Sequence, residues 1–175
     1  MPTVSVTRTY LEMARPDQLL AAHLDDPTVD LARAFECPAS FFRYLYVEVG
    51  RSYQWTDRLP WSDEQIRARL ADPGVSLWLL RVKGSPAGYF ELERHHDGSV
   101  EVAYFGLLPE FLGRGLGKHL LTLAVETAWS LEAHRVWLHT CTLDDPAALP
   151  NYRKRGFQPY KQEVYETEIP EKAAL

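Results

Sequence analysis

The run PEFLGRGLGKHLL, residues 109–121, puts glycine at every second position, Gly113, Gly115 and Gly117, just ahead of an apolar stretch with helical spacing. Glycine adopts positive φ freely and lets a ligand approach the backbone closely. A helix starting there aims its unpaired N–H groups and the positive end of its dipole at the same point. That arrangement suits a phosphate-type anion. Spacing excludes two common phosphate loops. A Walker loop needs Gly-x-x-x-x-Gly-Lys-Ser/Thr, yet Leu112 stands in the first glycine position and His119 in the hydroxyl position. A dinucleotide fingerprint needs a third glycine three residues after the second, and that position is Lys118. The expected ligand is therefore another pyrophosphate. The N–H groups of Gly113, Arg114, Gly115, Leu116 and Gly117 would cradle it as an anion nest, with charge from Arg114 and Lys118.

A second grouping is aromatic. Within FFRYLYVEVGRSYQWTDRLPW, residues 41–61, Phe41, Phe42, Tyr44, Tyr46, Tyr53, Trp55 and Trp61 are interleaved with the acids Glu48 and Asp57, and Asp63 follows. Rings beside carboxylates suit a cationic amine with an apolar body. Tyr53 and Trp55, set among polar residues, are the substrate-binding candidates, and the other rings would pack helices on a sheet. No metal site is expected. Cys37 and Cys141 have no ligand spacing. Asp144 and Asp145 fit the start of a helix as caps, and His95, His96 and His139 fit strand and turn positions.

These residues need one domain to position them. A chain of 175 residues, 46% hydrophobic and 25% charged, can bury one core and is short for two. A net charge of −5 argues against a general nucleic-acid binder. The start MPTVSVTRTY has no basic region followed by an apolar run, so no signal peptide is expected, and no apolar run is long enough for a membrane span. Two reduced thiols then point to the cytoplasm. Thr3–Tyr10 reads as a strand, and Pro16-Asp17 as a helix start. Residues 28–50 read as helix in two pieces, broken before Pro38. Ser62 to Gln65 is a capping box, and Asp72-Pro73-Gly74 ends that helix. Val75–Val82, Ala87–His95 and Val100–Leu107 form a β meander across two turns. A helix over 114–131, a strand over 135–142, a helix over 145–155 and a last strand over 157–169 complete an α/β domain with a mixed sheet.

Strand, glycine loop, helix, strand, then a short helix ending Tyr152-Arg153-Lys154-Arg155-Gly156-Phe157 resembles the GNAT superfamily of acetyl-CoA-dependent N-acetyltransferases. The family's acetyl-CoA loop reads Arg/Gln-x-x-Gly-x-Gly/Ala. Here it is Leu112-Gly113-Arg114-Gly115-Leu116-Gly117, with both glycines in place and leucine for the leading polar residue. The second signature, Ala-x-x-x-Tyr-x-x-x-Gly-Phe, runs from Ala148 through Tyr152 to Gly156-Phe157, with Asp145 where asparagine commonly opens it. The resemblance covers about residues 75–168. It implies a single α/β domain, a mixed and mostly antiparallel twisted sheet of six to seven strands flanked by helices. Residues 75–168 would form the acetyl-CoA core, and residues 1–74 a strand plus a helical acceptor-side segment.

The resemblance also implies roles. Acetyl transfer to an amine must deprotonate an ammonium, stabilise charge on a carbonyl oxygen and protonate or stabilise a departing thiolate. Glu101 is the expected base: it stands eleven residues before Leu112, the spacing of the basic glutamate in histone-acetylating members. Its neighbours Val100, Val102 and Tyr104 would desolvate it and raise its pKa. Glu91 and Glu93 on the preceding strand are alternatives, as bases through water or as acceptor contacts. Tyr152 is the expected acid beside the coenzyme sulfur. Backbone N–H groups at Leu107 and Leu108, with Pro109 ending the strand and Gly106 easing a bulge, would serve the carbonyl and the pantetheine arm. The expected activity is acetyl transfer from acetyl-CoA to a primary amine of a small molecule, directly in a ternary complex, by a metal-free monomer or homodimer. A protein N-terminus or lysine as acceptor, and a non-catalytic acyl-CoA sensor, stay open beside it.

Overall fold

Residues 2–169 are described by a computed structural model of the chain. The expected meander is there: β3 (Val75–Val82), β4 (Ser85–Arg94) and β5 (Ser99–Leu107) pair antiparallel in sequence order. Between β3 and β4, Lys83 and Gly84 both take positive φ, +50° and +83°, as a two-residue hairpin turn requires. On the flank of β3 lies β2 (Val29–Arg33), and beyond β5 come β6 (Arg135–Cys141), β1 (Thr3–Met13) and β7 (Gln158–Glu168), giving the order β2-β3-β4-β5-β6-β1-β7. Only β5 and β6 run parallel. The first strand of the chain thus lies between β6 and β7, inside the same sheet as residues 75–168.

Helices cover both faces. On one, α3 (Leu116–Ser130) buries Leu120, Leu121, Ala124, Val125 and Ala128 against Leu11, Phe90, Leu92, Val100, Val136 and Leu138. On the other, α1 (Ala39–Gly50) and α2 (Asp63–Ala71) set Phe42, Leu45, Val49 and Ile66 on Leu77 and Tyr89. Helix α2 begins with the capping box expected at Ser62 and Gln65. The short α4 (Ala148–Lys154) ends at Gly156, whose φ is +107° and whose missing Cβ would stand 1.9 Å from the Gln18 carbonyl oxygen. The glycine of the second signature is thus set by close packing.

Two expected helices are absent. After Pro16 there is a single 3-10 turn, Pro16–Gln18, and then extended chain. Alternate N–H groups of that segment are taken by tertiary partners: Leu20 donates to the Arg155 carbonyl, Ala22 to the Thr122 hydroxyl and Leu24 to His119 Nδ1. Residues 29–33, read as the first helical piece, are strand β2, because β3 offers an open edge for five residues to pair with. Propensity yields to tertiary pairing in both cases. Helix α3 starts at Leu116 and α4 at Ala148, later than expected at Arg114 and Asp145.

Candidate active site

The parallel pairing of β5 and β6 lasts three rungs, Ser99 with Arg135, Val100 with Val136 and Glu101 with Trp137. Past them β6 continues only with β1, through Cys141. Strand β5 bends away at a bulge. Leu92 pairs with Val102 and Glu91 with Tyr104, which leaves Ala103 without a partner; such an insertion kinks a strand. The bulge lies at Ala103, not at Gly106 as expected. Gly106 serves close packing instead, since a Cβ there would stand 2.4 Å from Val49 Cγ1. Between the splayed strands opens a cleft of about 860 Å³, within the usual range of ligand pockets, ~300–1,000 Å³.

The glycine loop closes one end of the cleft. Gly113 and Gly115 have φ of +74° and +76°, and a Cβ would meet nothing within 4 Å at Gly113 and only Lys118 Cε, at 3.8 Å, at Gly115. These positions are glycine for their backbone angles and for what can approach from outside. Gly115 is the N-cap of α3 and no side chain caps the helix, so the first-turn N–H groups remain for a ligand. Gly115, Gly117, Lys118 and Leu112 line the cleft, and the Arg114 guanidinium lies over the Phe111 ring at 5.1 Å. Asn151, which the sequence reading passed over, donates to the Gly117 carbonyl at 3.4 Å and ties α4 to this corner.

Of the two N–H groups expected to face the cleft from the end of β5, one is spent. Leu108 N–H donates to the Ala87 carbonyl at 2.8 Å. Alternation along the strand turns the N–H groups of Leu107 and Phe105 the opposite way, into the gap left by β6. The Leu107 N–H thus faces the gap, as expected, the Leu108 N–H does not, and the Phe105 N–H, which was not among the expected groups, faces the gap as well.

Tyr152 reaches the cleft from α4, edge-on between Phe105 and Phe157 with ring centroids 6.2 Å away on each side. Burial, then the Asp144 carboxylate, raises its hydroxyl pKa above the usual phenol value. The hydroxyl therefore stays protonated at neutral pH, as a proton donor must. Glu101 lies across the cleft with 13% of its side chain exposed. Burial raises its carboxyl pKa, against a hydrogen bond from His95 Nε2 at 2.9 Å. His139 Nε2 lies 4.0 Å from its other oxygen, and burial lowers the His139 pKa.

Glu93 lines the cleft beside Glu101, its partner across the strands. Arg69 Nη2 holds it at 2.7 Å and lowers its pKa. Glu91 does not line the cleft. It is fully buried and committed, with oxygens 2.5 and 3.0 Å from the two Arg58 Nη atoms and 2.8 Å from Arg69 Nε. Its expected acceptor contact is corrected: it anchors the loop that carries the aromatic wall. No sequence spacing linked Arg58 or Arg69 to these acids. Tyr53 and Trp55 stand on that wall. The Tyr53 hydroxyl donates to Asp145 at 3.1 Å, and burial pushes its pKa up to about 12. Trp55 packs on Tyr46, Tyr89 and Tyr104. Asp145 accepts from the Ala147 N–H just ahead of α4, while Asp144 turns back to the Thr140 hydroxyl and the Cys141 N–H.

Glu93, His95 and Glu101 offer metal-ligand atoms within 4.8 Å of one another, a grouping the sequence reading did not see. The Arg69 guanidinium already occupies the Glu93 carboxylate. Both cysteines are free, and no described helix is long and apolar enough to cross a membrane.

Comparison with known proteins agrees with this geometry. The profile of the acetyltransferase (GNAT) family matches residues 39–157. An uncharacterized N-acetyltransferase of Lactobacillus delbrueckii subsp. lactis is 26% identical over 111 residues, 59% of this chain and 64% of that protein. The structure of a GCN5-related N-acetyltransferase from Kribbella flavida superposes with a TM-score of 0.65 at 24% identity, covering 94% of this chain and 58% of that one. One from Sphaerobacter thermophilus gives 0.71 at 15% identity, covering 93% and 51%. The chain spans less than two thirds of the length of each of these relatives.

Proposed function

The chain belongs to the GNAT acetyltransferase family, and from that premise we propose that it moves an acetyl group from acetyl-CoA directly to the primary amine of a small molecule. The observation that carries this reading is the cleft between β5 and β6, with the positive-φ glycine loop at one end and Glu101 and Tyr152 on its walls.

Acetyl-CoA would supply the acyl group as a thioester. The backbone of residues 113–117, with Lys118, would hold its pyrophosphate. The N–H groups of Phe105 and Leu107 face the gap where the pantetheine arm would extend, and they suit charge developing on a carbonyl oxygen. Glu101, with a raised pKa and a hydrogen bond from His95 to one oxygen, would take the ammonium proton directly or through one water. Tyr152 holds its proton through neutral pH and can deliver it to a leaving thiolate. Tyr53, Trp55 and Glu93 form the acceptor wall.

The test is turnover. The protein is mixed with acetyl-CoA and a panel of small amines and amine-bearing peptides, and free thiol is followed. Thiol released only in the presence of a given small amine supports the reading. Release with peptides alone would move the acceptor to proteins. Tight acetyl-CoA binding without release in any mixture would make the chain a cofactor-binding module.

A further inference from the structure

Three guanidinium groups line the cleft, those of Arg8, Arg58 and Arg69, and two are neutralised by Glu91 and Glu93. Arg8 is not. Its Nη2 donates to the Tyr165 hydroxyl at 3.3 Å and its guanidinium lies over that ring at 4.9 Å. Its Nε is buried with no hydrogen-bond partner among the described residues. Two nearby carboxylates are turned elsewhere. Glu163, its neighbour across β1 and β7, accepts from the Tyr10 hydroxyl at 3.0 Å and pairs with Lys161 at 2.5 Å. Asp144 is folded back onto Thr140 and Cys141.

The place of Arg8 matters as much as its charge. Lys118, another cation of the cleft, stands at the glycine loop, where a pyrophosphate is expected. Arg8 projects from β1, opposite Cys141 of β6. The last rung holding Glu101 is at Trp137, four residues back along β6, or about 13 Å at ~3.3 Å per residue. Glu101 thus marks the end where an ammonium would react, with Glu93 beside it held by Arg69, and an unpaired guanidinium marks a point further along the same cavity.

We propose that Arg8 anchors a carboxylate subsite and that the acceptor is amino-acid-like, with an amine at one end and a carboxylate at the other. The inference rests on the acetyl transfer proposed above and names the class of acceptor. A planar guanidinium presents paired N–H groups that match the two oxygens of a carboxylate. The Tyr165 hydroxyl, which accepts from Arg8, still has its own hydrogen to donate to the same group.

The test uses two matched series, straight-chain ω-amino carboxylates with two to eight methylenes and alkylamines of the same lengths. Thiol release is measured for the parent, Arg8→Met and Arg8→Lys. Calorimetry with the N-acetylated carboxylates, in the presence of coenzyme A, reads the subsite without turnover. The parent should prefer the best carboxylate over its matched alkylamine in kcat/KM by about 10–10²-fold, the worth of one charge-assisted contact. Arg8→Met should bring that ratio to near one, mainly through KM, and Arg8→Lys should restore part of it. Acetyl-CoA should titrate all three alike. A parental preference for alkylamines, a ratio that survives in Arg8→Met, or lost acetyl-CoA affinity would each overturn the subsite. If no amine releases thiol, the calorimetry decides: Arg8-dependent binding keeps the subsite and sinks the transfer reading beneath it, and no binding sinks the subsite.

Discussion

Replacing Arg58 by methionine tests how the aromatic wall of the cleft is held. Residues 51–62 contain one 3-10 turn, Arg51–Tyr53, and no longer element. They are fixed to the sheet by Arg58, which is 8% exposed and grips a fully buried Glu91 at 2.5 and 3.0 Å while lying 4.2 Å over the Tyr104 ring. Removing one partner of a buried ion pair costs roughly 3–5 kcal/mol, because the other charge is stranded. Glu91 would keep Arg69 at 2.8 Å, so the lower end, about 3 kcal/mol, is expected. For a chain of this size each kcal/mol moves Tm by about 2–4 °C, so the fall should be about 6–12 °C. Thermal and urea unfolding of the parent, Arg58→Met and Arg58→Met/Glu91→Leu measure it. The double variant should recover most of the loss, since apolar groups of similar size commonly replace such a pair without cost. The single variant should also raise KM for the acceptor, through Tyr53 and Trp55, with acetyl-CoA affinity kept. A single variant within about 1 kcal/mol of the parent, well under the range for a stranded buried charge, would refute the anchoring role.

Three further outcomes are expected. Gly115→Val forces a β-branched residue to the φ of +76° seen at this N-cap; strain of about 1–3 kcal/mol should weaken acetyl-CoA binding by about 5–150-fold in a folded protein, and unchanged calorimetric affinity would remove the loop from the cofactor site. Tyr152→Phe keeps the packing on Phe105 and Phe157 and deletes the hydroxyl; kcat should fall about 10–10³-fold with acetyl-CoA affinity kept, and a kcat within twofold where chemistry is rate-limiting would exclude Tyr152 as the acid. Burial raises the Glu101 pKa, so the acid limb of kcat/KM should lie above the ordinary glutamate value, ~4.3. Glu101→Gln should lose most near neutral pH and less as pH rises and more amine arrives uncharged, and a loss independent of pH would recast the residue as a positioning group. Because the folded state binds that proton more tightly than the unfolded chain, the Glu101 contribution to stability falls as pH rises through its folded pKa. The glutamine variant should lack that fall in pH-dependent urea unfolding.

What could be read in advance was local. Turn chemistry at Lys83-Gly84, the capping box at Ser62 and the glycine loop each state their geometry within a few residues, and all three appear where they were read. Residues 19–33 carry no such statement. Pro16-Asp17 reads as a helix start, yet the acceptors for the N–H groups of residues 20, 22 and 24 lie on α3 and just past α4, about a hundred residues or more away in sequence. The N-terminal strand shows the same limit at the level of topology. Thr3–Tyr10 was legible as a strand, but nothing in its residues says that it separates β6 from β7.

The site divides along the same line. Glu101 and Tyr152 stand out as candidates because one lies at a set distance from a motif and the other within one, whereas the groups that tune or surround them come from pairing partners. The bulge at Ala103 is the decisive case. Simple alternation along β5 would put Glu101, Ala103 and Phe105 on one face. The unpaired Ala103 shifts the phase, so that Glu101 and Tyr104 share a face, opposite Glu93 and Glu91 on β4. That single inserted residue brings the Tyr104 ring under Arg58 and turns Phe105 toward Tyr152. It also bends β5 away from β6, so the step that opens the cleft aligns its walls as well.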